Sequence, residues 1–343
     1  MASIVQKKNR YYVVYLYDTE EGKRTVRRVH KLLNSAFTQA MKWELIEKNP
    51  AQLATVPKAE KKTRAIWDAD TLFHSIEVCE DERLKLAINL AFSCSLRVGE
   101  LLGLTWDCVD LSEGSLAEGK ASIFINKELQ RVRKSTMATL EKKDVLCVFP
   151  EHSSGTATVL ILKKPKTLTS TRRVYLPRTV AEMLIDWKKG QELAMEELGD
   201  EYHDYQLVMA GPFGFPMEHG RINELFNQLI REHNLPKVVF HSLRHSSITY
   251  KLKLNGGDVK SVQGDSGHAQ AKMVTDQYSH ILDEDRKNNA QIFEDVFYQK
   301  KTPGQIAAEQ AGQSAGIDPE LLMKVLTNPE MAKLLKALAG TIE

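Results

Sequence analysis

From about residue 25 to residue 47 the apolar side chains Val29, Leu32, Leu33, Phe37, Ala40, Met41 and Leu45 recur every three or four positions. That is the spacing of one face of an α-helix, and Asn49-Pro50 is placed to stop it. Ahead of it, residues 3–17 are rich in aromatic and β-branched side chains and run into Asp18-Thr19-Glu20-Glu21-Gly22, which reads as a short β-hairpin followed by a turn. A basic stretch over residues 57–64 reads as a linker. Asp68 is placed to cap a helix starting near Ala69, and residues 81–94 are apolar on most sides, as in a buried helix. Four β-rich runs, over residues 121–125, 145–149, 158–162 and 172–176, are separated by polar turns and predict a small antiparallel sheet. Helical periodicity returns over 179–198, 219–233, 242–254 and 283–298, with Gly256-Gly257 ending the third of these. Residues 300–316, rich in Gly, Gln and Ala, read as a linker. Residues 318–338 read as a last amphipathic helix whose Leu321, Leu322, Val325, Leu326, Leu334 and Leu335 can dock on their own chain or on a neighbour. The pattern is α+β, mainly α, without an internal repeat.

A length of 343 residues with 42% hydrophobic and 27% charged residues is ordinary globular material, with room for two or three domains. Cys79, Cys94, Cys108 and Cys147 form no Cys-x-x-Cys pair, which fits a reducing compartment. The N-terminal MASIVQKKNRYY lacks the apolar core of a signal peptide, and no run approaches the roughly 20 apolar residues of a membrane span. A cytoplasmic location without membrane association is the expectation. The net charge of +2 does not by itself announce a nucleic-acid partner. Its distribution is more informative: the first 65 residues hold fourteen Lys or Arg against six Asp or Glu. Either a solvated charged face or a phosphate-binding surface accounts for this. The candidate phosphate contacts are Lys7, Lys8, Arg10, Arg27 and Arg28 there, and Lys163, Lys164 and Arg172 later in the chain. Lys127, Arg131, Arg133 and Lys134 fit phosphate tracking or a solvated basic hairpin equally. No His-Glu-x-x-His spacing and no Gly-x-x-x-x-Gly-Lys loop is present, so neither a metal nor a nucleotide cofactor is expected.

Arg97, Lys166, His241 with Arg244, His268 and Tyr278 are each weak signals alone. A lone Arg beside an apolar helix usually makes a salt bridge, a lone His is usually a satisfied polar group, and Tyr278 alone would be a half-buried phenol. Together they supply the parts that metal-free phosphoryl transfer requires. Two guanidinium groups can meet the negative charge spread over the non-bridging oxygens of the transition state. A deoxyribose oxygen leaves poorly unless protonated, and Lys166, on what reads as a hairpin turn, is a candidate acid. His241 can move the proton of an attacking phenol, His268 can hold a phosphate oxygen, and an ester on Tyr278 would store the bond energy for a second hydroxyl to reclaim. Tyr250 and Tyr298 are competing tyrosines, and core packing is the simpler reading of both.

The run CSLRVGELLGLTW, the segment PKTLTSTRRVYLP, the box HSLRHSSITY, and GH followed ten residues later by YSH resemble, in this order, the catalytic domain of phage-integrase-type tyrosine recombinases. More narrowly, they resemble integrases of conjugative transposons of Gram-positive bacteria. The resemblance spans roughly residues 66–298. It implies a tyrosine-recombinase catalytic domain of helices plus a small antiparallel sheet, a 3′-phosphotyrosyl intermediate on Tyr278, and catalytic roles for Arg97, Lys166, His241, Arg244 and His268. Glu100 matches the acidic residue that supports the first arginine. Double-stranded DNA attachment sites, a homotetramer on DNA, and an excisionase or host DNA-bending protein are the implied partners, for integration or excision of a mobile element. In many members of the family the tyrosine follows the late histidine by nine positions rather than ten, which implies a small loop insertion here.

The front of the chain departs from that pattern. Residues 1–24 resemble a remnant of an arm-binding β-hairpin and 25–57 a truncated helical core-binding region, followed by the catalytic domain at 66–300, a linker at 301–316 and a terminal helix at 317–343. An intervening part of the DNA clamp looks deleted. Two rival readings stay open at this point: a non-catalytic or clamp-deficient DNA-binding remnant, and an enzyme like a type IB topoisomerase.

Overall fold

The computed structural model describes residues 2–7, 10–15, 19–58, 65–137, 144–151, 155–278 and residue 298. The chain divides into two compact units, Met1–Arg64 and Ala65–Glu343.

In the first unit, β1 (Ala2–Lys7) and β2 (Arg10–Tyr15) pair antiparallel, from Ala2 opposite Tyr15 to Lys7 opposite Arg10. The strands therefore reverse between Lys7 and Arg10, and the polar run that follows the hairpin is not a turn. That run starts a helix instead. Thr19 Oγ1 accepts from the amide of Gly22 at 3.1 Å, and Glu20 and Glu21 place negative charge against the positive end of the helix dipole. The helix, α1 (Glu20–Lys42), begins and ends about one turn earlier than the apolar spacing suggests. It stops because Glu44 adopts a left-handed conformation (φ 58°), closing a C-terminal cap. Asn49 does not end the helix but packs back against it. Its buried amide donates to Asn34 Oδ1 at 2.9 Å and Thr38 Oγ1 at 3.1 Å, folding a short 3-10 turn (Pro50–Leu53) onto α1. No residue of α1 is buried.

The second unit opens with α2 (Ala69–Glu77), capped by Asp68 as expected, and α3 (Glu82–Ser93). α4 (Val98–Leu102), β3 (Val109–Asp110), α5 (Glu113–Ala117), β4 (Ser122–Ile125), β5 (Glu128–Arg133) and α6 (Lys134–Met137) follow. Then come β6 (Val145–Val148), β7 (Thr158–Lys163), β8 (Arg172–Tyr175), α7 (Arg178–Leu198) and α8 (His219–Glu232). The described part closes with α9 (Ser242–Leu254), α10 (Val259–Ser266) and α11 (Ala271–Tyr278). Four strands fall where the β-rich runs predict them, but they form two three-stranded antiparallel sheets, β3-β4-β8 and β5-β7-β6, rather than one. The difference comes from β5, whose charged alternation, ELQRVR, hides a strand with Leu129 as its one fully buried side chain. β5 takes up β7 as a partner, so β7 and β8 belong to separate sheets.

The core is built around α3, where Leu84, Leu86, Ala87, Ile88, Leu90 and Ala91 are all buried. Trp67 and Phe240 pack against Phe226 with ring centroids 5.1 and 5.4 Å apart, and the Trp67 indole donates to Pro236 O at 2.8 Å. α4 lies directly on β5: a Cβ added at Gly103 would sit 2.6 Å from the backbone nitrogen of Leu129, so only glycine permits this approach. A second, smaller cluster joins the last helices, with Val274 of α11 buried among Ile248, Leu252 and Val262. The anticipated helix at 283–298 lies outside the described residues except for residue 298, as do the linker at 300–316 and the terminal helix at 318–338. Among the described residues no helix is long and apolar enough to cross a membrane.

Candidate active site

The site begins where α3 gives way to α4. Ser95, buried, turns the chain with a left-handed φ of 53°, an arrangement uncommon for a residue other than glycine. Arg97 then caps α4. Its amide donates to Glu100 Oε2 at 2.9 Å and its Nη1 to Glu100 Oε1 at 2.6 Å. Glu100 is only 2% exposed, and a second guanidinium grips the same carboxylate: Arg172 donates from Nη2 to Oε2 at 2.9 Å and from Nη1 to Oε1 at 3.2 Å. Arg244 Nη1 stands 4.0 Å from Oε2. One buried carboxylate thus faces three guanidinium groups. Burial opposes its charge, but the hydrogen bond and charge of Arg172, and then the charge of Arg97, outweigh burial and hold the carboxyl below its ordinary pKa.

Arg244, in the first turn of α9, is buried, with Nη1 donating to Ser95 O and Nη2 to Ser266 O at 2.6 Å. Ser266 ends α10, so the cation meets the negative end of that helix. His268 Nε2 lies 3.4 Å from Arg244 Nη2, and its Nδ1 lies 2.7 Å from Ser266 Oγ. Burial first, and then the charges of Arg244 and Arg97, push the His268 pKa down to about 4. A neutral ring with its proton on Nδ1, donated to Ser266, and a free lone pair on Nε2 toward Arg244 satisfies every contact; the tautomer is assigned from these partners. Gly267 joins the two halves. It takes φ 61° as the cap of α10, its carbonyl accepts from Arg97 Nη2 at 3.0 Å, and a Cβ there would lie 2.9 Å from Arg172 Nη1.

The remaining expected residues are placed less tightly. His241 is half-buried at the N-terminus of α9, its ring edge-on to that of buried His245 at 5.0 Å. Lys166 is exposed, and its segment is not a hairpin turn: it connects strands of two different sheets. Tyr278 is the last residue of α11, one helical turn beyond buried Val274; its side chain lies outside the described residues. Of the competing tyrosines, Tyr250 packs on Phe92 at 5.8 Å, as expected, whereas Tyr298 is largely exposed.

The expectation that Arg172 reaches out to phosphate is corrected. It is 8% exposed, with its guanidinium turned inward to Glu100, Asp265 O and Ser170 O. In β8, residue 172 shares the inward face with Val174 and Leu176, and Arg173 takes the outward one; that alternation is the signal for its burial. Lys163 is likewise engaged, 2.7 Å from Glu128, while Lys164, Arg27 and Arg28 are exposed. Lys7 and Arg10 face each other across the hairpin as backbone partners, with side chains outside the described residues, as is Lys8 entirely. Three of the middle cations have carboxylate partners: Lys127 with Asp107 at 2.7 Å, Lys134 with Glu151 at 2.6 Å, and Arg131 with Glu218. The structure therefore gathers Arg97, Glu100, Arg244 and His268 into one cluster, and adds Arg172, Ser266 and Gly267, which sequence reasoning does not place there.

The phage integrase family matches residues 128–285, a stretch from β5 past the end of α11. A tyrosine recombinase XerC-like protein of Caldanaerobacter subterraneus subsp. tengcongensis is 25% identical over 297 residues, covering 84% of this chain and 70% of its own. The ICEBs1 integrase of Bacillus subtilis is 23% identical over 285 residues, covering 82% and 68%. Among solved structures, the Tn1549 transposon integrase in complex with a circular intermediate DNA shares the fold with a TM-score of 0.58 at 19% identity, covering 81% of this chain and 85% of that one. Family match, relatives and fold agree with the motif order and the arginine cluster: residues 128–285 form a phage integrase family domain, and the proteins this chain resembles are tyrosine recombinases and integrases.

Proposed function

We propose that this chain is a site-specific recombinase that cuts and rejoins duplex DNA through a 3′-phosphotyrosyl bond to Tyr278. The observation that carries the reading is the pair of arginines on one buried carboxylate: Arg244 is locked inside, whereas Arg97, on the same Glu100, keeps 34% of its side chain exposed for an incoming phosphate. Fixed in advance, such donors stabilise charge that develops in the transition state without reorganising.

In the cleavage step the Tyr278 oxygen forms a bond to phosphorus while its proton passes to His241. The bond from phosphorus to the 5′ oxygen breaks, its electron pair goes to that oxygen, and Lys166 supplies a proton to it. Arg97 meets the charge on the non-bridging oxygens, and the buried charge of Arg244 adds to the field that stabilises it. The ester conserves the bond energy, so a 5′-hydroxyl from another strand reverses the step without ATP. The wider reading is integration or excision of a mobile element by four copies on paired attachment sites in the cytoplasm, with an excisionase or a host DNA-bending protein as accessory factors. The hairpin would serve as a reduced arm-binding module and α1 as part of a core-binding region.

One observation favours a weakened DNA clamp. α1 leaves Leu32 71% exposed and Leu33, Met41 and Trp43 exposed with it, positions that a complete helical bundle would bury. The central test uses a nicked suicide substrate, in which the strand released by cleavage diffuses away. Wild type should form a protein–DNA adduct that survives denaturation, and Tyr278→Phe should form none; an adduct in the variant, or none in the wild type, removes the reading.

A further inference from the structure

We propose that Arg172 is a positioning residue for strand cleavage, tying the loop that carries Lys166 to the buried cluster that holds Arg97. This rests on Lys166 being the acid of the proposed reaction. The guanidinium of Arg172 donates to four acceptors on three elements. Nη1 and Nη2 reach Glu100 in α4, Nε reaches Asp265 O in α10 at 2.7 Å, and Nη1 reaches Ser170 O at 2.9 Å. It packs directly against Gly267, where a Cβ would meet Nη1 at 2.9 Å and Cδ at 3.1 Å.

Ser170 is the link to the acid. Residues 164–171 run between the two sheets, anchored at the start by the amide of Lys164 on Asp144 O at 2.9 Å and at the end by Arg172 on Ser170 O. Between these anchors a 3-10 turn closes, the amide of Ser170 donating to Thr167 O at 3.0 Å and the two hydroxyls lying 2.9 Å apart. Thr167 adjoins Lys166. A short series of contacts therefore runs from Glu100 through Arg172 and Ser170 to the residue next to the acid. An exposed lysine on a loop between sheets has no other fixed reference to the phosphate-binding arginines among the hydrogen bonds described. A planar, multidentate cation can hold three elements at once; a lysine in its place offers a single charged point.

The test compares cleavage of a suicide DNA whose scissile 5′ oxygen is left as oxygen or replaced by sulfur. A thiol, with a pKa near 8.5, leaves as thiolate without being protonated, so sulfur removes the need for the acid. Full-length Lys166→Ala should be slowed by about a hundredfold or more on oxygen and recover on sulfur, which checks the acid assignment itself. Arg172→Met should show the same signature, slowed about tenfold to a hundredfold on oxygen with most of the loss regained on sulfur. Arg172→Lys, which keeps a charge beside Glu100, and the double variant Glu100→Gln/Arg172→Met, which removes both buried charges, should show it too if the single Met variant fails to fold. Arg244→Lys, acting on the phosphate rather than the leaving group, should lose activity on both substrates alike. If Lys166→Ala recovers on sulfur while the folded Arg172 variants keep the wild-type sulfur-to-oxygen rate ratio, Arg172 does not position the acid loop and the proposal is overturned. If Lys166→Ala does not recover, the acid assignment fails and the proposal fails with it.

Discussion

The arginine cluster and α1 handle charge in opposite ways. Around Glu100 the guanidinium groups of Arg172 and Arg244 and the ring of His268 are buried, Arg97 closes the cluster half-buried, and each is held by at least one other or by a backbone carbonyl. On α1, Arg27 and Arg28 are exposed and no side chain of the helix is buried. Buried charges are tolerated only as a complete set, because each one removed leaves another uncompensated, whereas exposed charges are nearly independent of one another. Geometry is therefore over-determined in the cluster, where the proposed chemistry sits, whereas the surface of α1 can change without unfolding anything.

The largest effect that separates the two regions is expected from Glu100→Ala. With the carboxylate gone, Arg97, Arg172 and Arg244 face one another without a counter-charge, and breaking a buried ionic set of this kind costs about 3–5 kcal/mol. Denaturant unfolding read by circular dichroism measures it. A loss below about 1 kcal/mol would show that water enters the cluster freely and that the contrast with α1 is one of degree.

How much of this is legible in the sequence divides along the same line. The motif residues Arg97, Glu100, Arg244 and His268 can be picked out because their spacing is local, and the apolar periodicities of α3, α7, α8 and α9 mark those helices nearly to the residue. Arg172 is misread because sequence carries the charge of a side chain but not the direction in which it points. Only the strand alternation with Val174 and Leu176 encodes its burial. β5 escapes notice because its exposed face is charged, and α10 and α11 because helices of only eight residues with few apolar positions fall below what periodicity resolves; tertiary packing of Val262 and Val274 makes them helical. The polar run at residues 18–22 looks like a turn, since the residues that cap a helix are also those that make turns.

A somewhat smaller effect is expected from pH. The pKa of His268 falls from an ordinary value of about 6.5 to about 4 in the fold, so between those values the unfolded chain binds the proton more readily. Its contribution to stability is fully present above pH 6.5 and is lost as pH falls toward 4, a change of at most about 3 kcal/mol. Unfolding free energies measured from pH 7 to pH 4 should therefore decline more steeply for the wild type than for His268→Asn. Parallel curves would mean that the ring takes up its proton as readily in the fold as in the unfolded chain, contrary to the lone pair it turns toward Arg244. The same shift implies that His268 is not the source of any change in cleavage rate between pH 6 and 8.

The smallest energetic change, and the one that sharpens the contrast from the other side, is expected from Arg27→Ala/Arg28→Ala. Both side chains are exposed on a helix without a buried residue, so their removal should move stability by no more than about 0.5 kcal/mol each. If α1 tracks phosphate, the effect appears in binding instead. Each neutralised phosphate contributes about 0.9 to the slope of log affinity against log salt, so the double variant should flatten that slope by between about one and two while leaving the melting temperature in place. Gel-shift titrations at several salt concentrations measure this. An unchanged slope would reduce the basic front of the chain to a solvated face and leave DNA binding to the second unit alone, whereas a flattened slope would show that affinity and chemistry reside in separable parts of the molecule.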